Sequence, residues 1–236
     1  MKFIRIEWGV GVVTPSGTLP IRYVLAIGRN YAEHAREQAA DVPTRPMVFT
    51  KSPASVCLHG DDIVVPRVCQ DREQVDFEAE LGVVIGRTAR DVPCEHALGH
   101  VLGYCCANDV SARWWQKEGS GGQFVRGKSF DTFCPVGPTL VPAGEVPDPQ
   151  SLRIRCRVNA QPMQDDSTAN MLFPVDVLIS DLSRGATLPP GTLLLTGTPS
   201  GVGMARKPPA FLKHGDRVEV EIERLGTLAN QVRAEA

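Results

Sequence analysis

The chain has 236 residues, a mass of 25.6 kDa and a formal charge of −2 from 25 basic and 27 acidic side chains. This length holds one large domain or two small ones, and it buries a sizeable core without disulfide or zinc staples. The balanced charge gives no basic footprint for nucleic acid and no polybasic membrane patch. With 22 glycines, 19 prolines and 42% hydrophobic residues, the composition predicts a compact, turn-rich protein with few long helices.

In chain order, Met1 to Glu7 alternates charged and apolar side chains, which is a strand pattern and not the apolar core of a signal peptide. Arg22 to Ile27 reads as a buried strand ending at Gly28, and Asn30 as the N-cap of a helix over 31–40 that Pro43 and Pro46 close. Short strands are expected at 47–50 and 62–66, and a longer one at 77–86. A short helix at 95–99 leads into a strand at 101–108. One or two helical turns at 111–118 precede a glycine-rich loop at 119–122. Strands follow at 136–141 and 152–159. Pro174 to Ser183 is an amphipathic helix with Val175, Leu178, Ile179 and Leu182 on one face. The remaining strands are 193–196, 217–225 and 228–232. No repeat or linker divides the chain, so one strand-rich α+β domain over 1–236 is expected, with a short strand segment at 1–20 and the core at 22–232.

Seven cysteines (57, 69, 94, 105, 106, 134 and 156) are odd in number and form no CxxC pair. They read as small buried hydrophobes of a reduced, cytoplasmic protein. No apolar run reaches the ~18 residues that a membrane span needs.

The strongest chemical signal is Asp76-Phe77-Glu78-Ala79-Glu80-Leu81-Gly82. Residues two apart share one face of a strand, so Glu78 and Glu80 project together from an apolar segment. Two such carboxylates repel each other, and a hard divalent cation (Mg²⁺, Mn²⁺ or Ca²⁺) resolves the conflict. Asp109, at the polar end of the 101–108 strand, offers a third ligand. Spacing alone equally permits a solvated strand face beside basic partners. Gly122 to Ser129 satisfies G-x-x-x-x-G-K-[ST], but no aliphatic strand precedes it and no helix pattern follows, so phosphate binding is excluded. Lys128 is either a surface lysine or a charge carried into a cleft. His34 and Glu37 share a helix face, as a solvated ion pair or as a base with its orienting carboxylate. The loop from Thr196 to Gly203 is a plain turn or a set of backbone N–H groups offered to a carboxylate.

Together, five ordered segments resemble the fumarylacetoacetate hydrolase family. They are Gly28-Arg29-Asn30-Tyr31-Ala32-Glu33-His34; Asp76 to Gly82; Asn108-Asp109-Val110-Ser111-Ala112-Arg113; Gly127-Lys128-Ser129 through Pro138; and Leu195 to Gly203. The resemblance implies a mixed β-roll with a short lid helix, usually as a homodimer, acting on keto or enol acids. It implies that Glu78, Glu80 and Asp109 hold Mg²⁺ or Mn²⁺, and that Lys128 adds positive charge at the substrate. It further implies His34, oriented by Glu37, as the base, with Arg113, Gln116 and Thr198 binding substrate. The compact branch resembled implies hydrolysis of acylpyruvates to pyruvate and a carboxylic acid. The alternatives are isomerisation or decarboxylation of dienoates or oxaloacetate, or a non-catalytic binding protein of the same fold. Two features depart from the family pattern. Trp114-Trp115 through Gly122 matches no substrate signature, and Asp165-Asp166-Ser167 replaces a glycine-containing turn.

Overall fold

Lys2–Ile6 is a strand, as its alternation predicts, but it does not stand alone. It pairs antiparallel with Gly9–Thr14, which pairs in turn with Gly17–Pro20. The N-terminal segment is therefore a three-stranded sheet and not one short strand. The computed structural model describes all residues, 1–236. Its largest element is a mixed seven-stranded sheet in the order Met47–Lys51, Tyr23–Gly28, Thr192–Leu195, Ala79–Ile85, Val101–Asn108, Cys134–Pro142, Val56–Leu58. A five-stranded sheet runs Gln161–Ser167, Arg153–Val158, Arg217–Ile222, Gly226–Ala234, Asp62–Val65.

The seven-stranded sheet is covered on both faces, and strand alternation divides its side chains between two cores. Leu81, Val83, Tyr104 and Cys106 pack with Ile154, Val218 and Val220 of the five-stranded sheet. Val84, Cys105, Leu193 and Leu195 point the other way and pack with Phe3, Val10 and Val12 of the N-terminal sheet. Double burial explains why the central strands read as nearly unbroken apolar runs. Glu80 shares parity with Val84 but lies at the far end of its strand.

Several elements differ from their sequence expectation. The first helix is Ala32–Glu37, shorter than 31–40, and Tyr31 rather than Asn30 occupies its N-cap, with no side-chain capping bond. Asn30 is drawn elsewhere: its amide donates to the carbonyls of Thr196 (2.8 Å) and Phe173 (3.0 Å) and accepts the Phe173 N–H. The helix stops before Pro43, and Ala39 takes a left-handed φ of 52°. The strand expected from Phe77 begins at Ala79, leaving Glu78 just outside it. In the helix Val175–Ser183, Leu182 is half-buried while Ser183 is fully buried and accepts the Val92 N–H. The short helix Phe124–Lys128 falls inside the G-x-x-x-x-G-K-[ST] pattern rather than after it, so the geometry of a phosphate loop is absent. All seven cysteines are free thiols and six are buried. No helix is long and apolar enough to cross a membrane.

Candidate functional site

The strands Ala79–Ile85 and Val101–Asn108 run antiparallel, with Ala79 opposite Asn108 and Glu80 opposite Ala107. Their pairing continues one step past the ladder. Asn108 Oδ1 accepts the Glu78 N–H at 3.0 Å, and the Glu78 carbonyl accepts the Asp109 N–H at 2.9 Å. Glu78 and Asp109 are thereby set side by side where the strands end, and Glu80 projects from the same side as Glu78. One carboxylate oxygen from each of Glu78, Glu80 and Asp109 lies within 4.8 Å of the others, and all three residues are buried.

Three buried cations surround them. Lys128 Nζ lies 2.6 Å from both Glu78 Oε2 and Asp109 Oδ2. Lys51 Nζ is 2.5 Å from Asp109 Oδ1. Arg113 Nη1 is 2.7 Å from Glu78 Oε1, and its Nε donates to Asp76 Oδ2 at 2.8 Å. Arg113 Nη2 sits 2.8 Å from the same Asp76 oxygen, yet none of its hydrogens is aimed at an acceptor. Asp76 is itself fixed by the backbone N–H groups of Phe77, Gly203 and Met204.

Glu80 is the exception. It is 1% exposed, pairs with no cation, and its one bond is the Gly197 N–H at 2.7 Å. Burial, then Asp109 and Glu78, push its carboxyl far above the usual carboxylate range, and Lys128 and Gly197 only partly oppose this. Burial also pushes Glu78 up, but Lys128 and Arg113 outweigh it and hold that carboxyl well below the usual range. Lys128 stays charged because Asp109 and Glu78 raise its pKa against burial. Four buried carboxyl groups therefore face three cations, and the one left without a cation, Glu80, is the one driven toward its protonated form. A buried set of hard oxygen donors, one of them with no cation of the chain beside it, fits a divalent cation of the Mg²⁺ or Mn²⁺ kind.

His34 reaches the same place from the first helix and is 3% exposed. Its Nδ1 is 2.7 Å from Glu37 Oε1, while Glu37 Oε2 accepts the Gly201 N–H at 2.7 Å. A carboxylate only accepts, so Nδ1 carries the hydrogen and Nε2 keeps its lone pair in the neutral ring. Gln38 Nε2 donates to that lone pair at 2.8 Å, covering the basic nitrogen. The loop 196–203 does present backbone N–H groups to carboxylates, but those of the chain itself: Glu80, Glu37 and Asp76. Gly197 has φ 94°, and a Cβ there would lie 2.6 Å from that of Asn30, so only glycine brings this N–H to Glu80.

One cleft of about 210 Å³ joins these groups. Glu78, Glu80, Lys128, Arg113, His34 and Thr198 all line it, as does Gln116. Thr198 Oγ1 accepts from Gln164 at 2.7 Å, which leaves its own hydrogen for the cleft. Gln116 accepts from Arg113 at 3.0 Å through its oxygen, leaving its amide nitrogen for the cleft. The nine residues singled out by sequence are thus brought together, with Asp109 beneath the floor and Glu37 behind His34. Sequence reading passed over Lys51, Asp76 and Gln38. Asp76 continues the period-two series through Glu78 and Glu80, so the same count could have included it. Lys51 closes an apolar strand, a place from which a long cation is carried inward. Gln38 gives no signal, since its partner is a tautomer of His34.

The chain is 47% identical over 209 residues to the mitochondrial oxaloacetate tautomerase FAHD2A of Bos taurus, a match that covers 89% of this chain but 66% of that protein. It is 44% identical over 215 residues to the oxaloacetate tautomerase YisK of Bacillus subtilis, covering 90% of this chain and 70% of that one. Among solved structures it resembles the fumarylpyruvate hydrolase of Pseudomonas aeruginosa in complex with Mn²⁺ and pyruvate, at a TM-score of 0.85 and 31% identity over 98% of this chain and 99% of that chain. A 2-hydroxyhepta-2,4-diene-1,7-dioate isomerase from Mycobacterium marinum superposes at a TM-score of 0.79 with 36% identity, over 93% and 79% of the two chains. The family described as fumarylacetoacetate (FAA) hydrolase C-terminal matches residues 23–233, nearly the whole fold, and the chain belongs to that family.

Proposed function

We propose that the protein interconverts the keto and enol forms of a short 2-oxo acid of the oxaloacetate kind, with Mg²⁺ or Mn²⁺ held by Glu78, Glu80 and Asp109. The observation that carries this reading is one cleft lined at once by Glu78 and Glu80, the two buried cations Lys128 and Arg113, and His34. Enolisation needs those parts: a base at C3, positive charge at the 2-oxo oxygen, and a seat for the carboxylate. When bound, the ion supplies Lewis-acid stabilisation of charge developing on the 2-oxo oxygen. Lys128 and Arg113 add fixed positive charge beside it, on a buried cleft floor. His34 Nε2 takes the C3 proton once Gln38 turns aside, and Glu37 holds Nδ1–H and stabilises the imidazolium. Returning the proton to oxygen completes the step. Thr198 and Gln116 donate to the substrate carboxylate. Only a C–H bond is broken, so no water is consumed. Identities of 47% and 44% to two oxaloacetate tautomerases favour this over other reactions.

Hydrolysis of acylpyruvates is the second reading, favoured by the likeness to the fumarylpyruvate hydrolase. The same dyad would then draw a proton from water, which attacks the distal carbonyl, and pyruvate leaves. One assay separates the two. Enol oxaloacetate is mixed with the protein and Mg²⁺ or Mn²⁺, and its decay to the keto form is followed by ultraviolet absorbance. Faster decay that EDTA abolishes and added metal restores is expected. No acceleration with either metal, beside pyruvate release from acetylpyruvate, would replace enolisation by hydrolysis.

A further inference from the structure

We infer that Arg29 and Lys117, at the mouth of the cleft, form a seat for a second carboxylate, so that the site selects 2-oxo dicarboxylates over monocarboxylates. This rests on the reading of the cleft as a 2-oxo acid site. Both residues line the cleft that the carboxylates and His34 line. The floor is buried, whereas Arg29 is half-buried and Lys117 exposed, which sets these two outermost. None of the chain's ion pairs includes either of them. Every cation on the floor, by contrast, is already held by a carboxylate of the protein.

The two cations share the lining of one cleft. Partial desolvation of the Lys117 ammonium, then Arg113, push its pKa below the usual value, with Arg29 adding to this and neighbouring Glu118 opposing it. Like charges gathered in a cleft without a partner disfavour one another, and an incoming carboxylate relieves that.

Each is held in place by local structure that is otherwise costly. Arg29 has a left-handed φ of 55°, which a residue with a side chain rarely adopts. It stands between the end of a buried strand and Asn30, whose amide is locked to Thr196 and Phe173. Lys117 follows the two adjacent tryptophans that match no family signature. Trp114 and Trp115 meet edge to face at 4.9 Å, Arg72 lies over Trp114 at 4.7 Å, and Arg126 lies over Trp115 at 4.5 Å. Trp115 Nε1 donates to the Val68 carbonyl at 3.1 Å. A Cβ on Gly119 would come within 2.5 Å of the Trp114 ring, so the loop returns flush against it. The Lys117 N–H closes the turn onto the carbonyls of Arg113 and Trp114, both at 3.2 Å. The loop thus ties Lys117 to Arg113 on the cleft floor. The cleft's 210 Å³ is below the roughly 300–1,000 Å³ of sites for drug-sized ligands, so a short acid spans floor to mouth.

The test is binding of oxaloacetate and of pyruvate, which lacks the second carboxylate, to the Mn²⁺-loaded protein by calorimetry. Arg29→Gln and Lys117→Gln are each expected to weaken oxaloacetate by about tenfold, the scale of one lost charge-assisted bond, and to leave pyruvate within about twofold. Arg29→Lys and Lys117→Arg should recover part of the loss. Equal weakening of both acids, or of neither, overturns the proposal. Selective weakening without any keto–enol turnover supports the seat and sinks the proposed reaction. Failure of both acids to bind the wild-type protein sinks both.

Discussion

Glu80 differs from its neighbours because nothing in the chain neutralises it. Glu78 and Asp109 are each tied to two cations, whereas Glu80 has only the Gly197 N–H. The pH consequences of the pair run in opposite directions. Glu78, depressed on folding, contributes stability that is present above its unfolded pKa of about 4.5 and is lost as pH falls toward its lower folded value. Glu80, raised on folding, binds its proton more tightly in the native state. The metal-free protein therefore loses stability as pH climbs from that same unfolded value toward the raised one. A divalent ion competes with this proton, so Mn²⁺ binding should be accompanied by proton release that grows as the pH is lowered. Calorimetry in two buffers of different ionisation enthalpy measures it. Metal affinity should rise with pH, and Glu80→Gln should remove both the proton release and the pH dependence. Binding with no proton release in the wild-type protein would mean that Glu80 is already ionised. The trio was a candidate in the sequence because strand period pairs Glu78 with Glu80 and Asp109 stands at the end of the next strand, although spacing alone left a solvated face open and only the family resemblance singled the three out. Lys51 was not, because its partner lies 58 positions away.

The helix Ala32–Glu37 is too short to be stable by itself, and a six-residue helix in water is far below the ~12–15 residues at which isolated helices become marginal. Its position is set by buried Tyr31, Ala35 and His34, and by the bond from Gly201 N–H to Glu37. Glu37 thus performs two tasks with its two oxygens: one fixes the His34 tautomer and the other fastens the helix to the 196–203 loop. Glu37→Gln replaces one acceptor by a donor, so either His34 or Gly201 loses its partner. Turnover should fall by about 10²-fold, the scale of a general base, with a smaller change in KM. Amide hydrogen exchange across 32–40 should quicken at the same time. Unchanged exchange with full activity would remove Glu37 from both roles. The helix was legible from its residues, but its ends were not. Good helix formers continue to Ala40, while Asn30, a preferred cap, is taken by Thr196 and Phe173 from the other end of the chain. Gln161–Ser167 was missed for a related reason: five of its seven residues are polar or charged, and only pairing with Arg153–Val158 makes it a strand.

At the scale of the molecule, the seven-stranded sheet supplies the site by having two covered faces and strand ends that open onto one cleft. Its apolar side chains are divided between the two cores, so polar side chains converge only where the strands run out. The family match begins at residue 23, and the three-stranded N-terminal sheet lies before it. That sheet nonetheless buries Phe3, Val10 and Val12 against Val84, Leu193 and Leu195, on the same strands that lead to Glu80 and Thr198. Sequence alternation marked only its first strand, because Gly9, Gly11 and Gly17 thin the apolar pattern of the other two. Burial of each such side chain contributes about 1.5–3 kcal/mol, so losing three removes a large part of the ~5–15 kcal/mol that holds an ordinary domain folded. Deleting residues 1–20 should therefore lower the urea midpoint sharply and expose apolar surface to a hydrophobic dye. It should also weaken Mn²⁺ binding, since the strands that fix Glu80 would lose the cover of one face. A truncated chain with an unchanged midpoint would show that the remaining sheets carry the site alone. Trp8, 85% exposed at the tip of the first hairpin, provides a control. Trp8→Ser touches no core side chain and should leave both midpoint and metal affinity as they are.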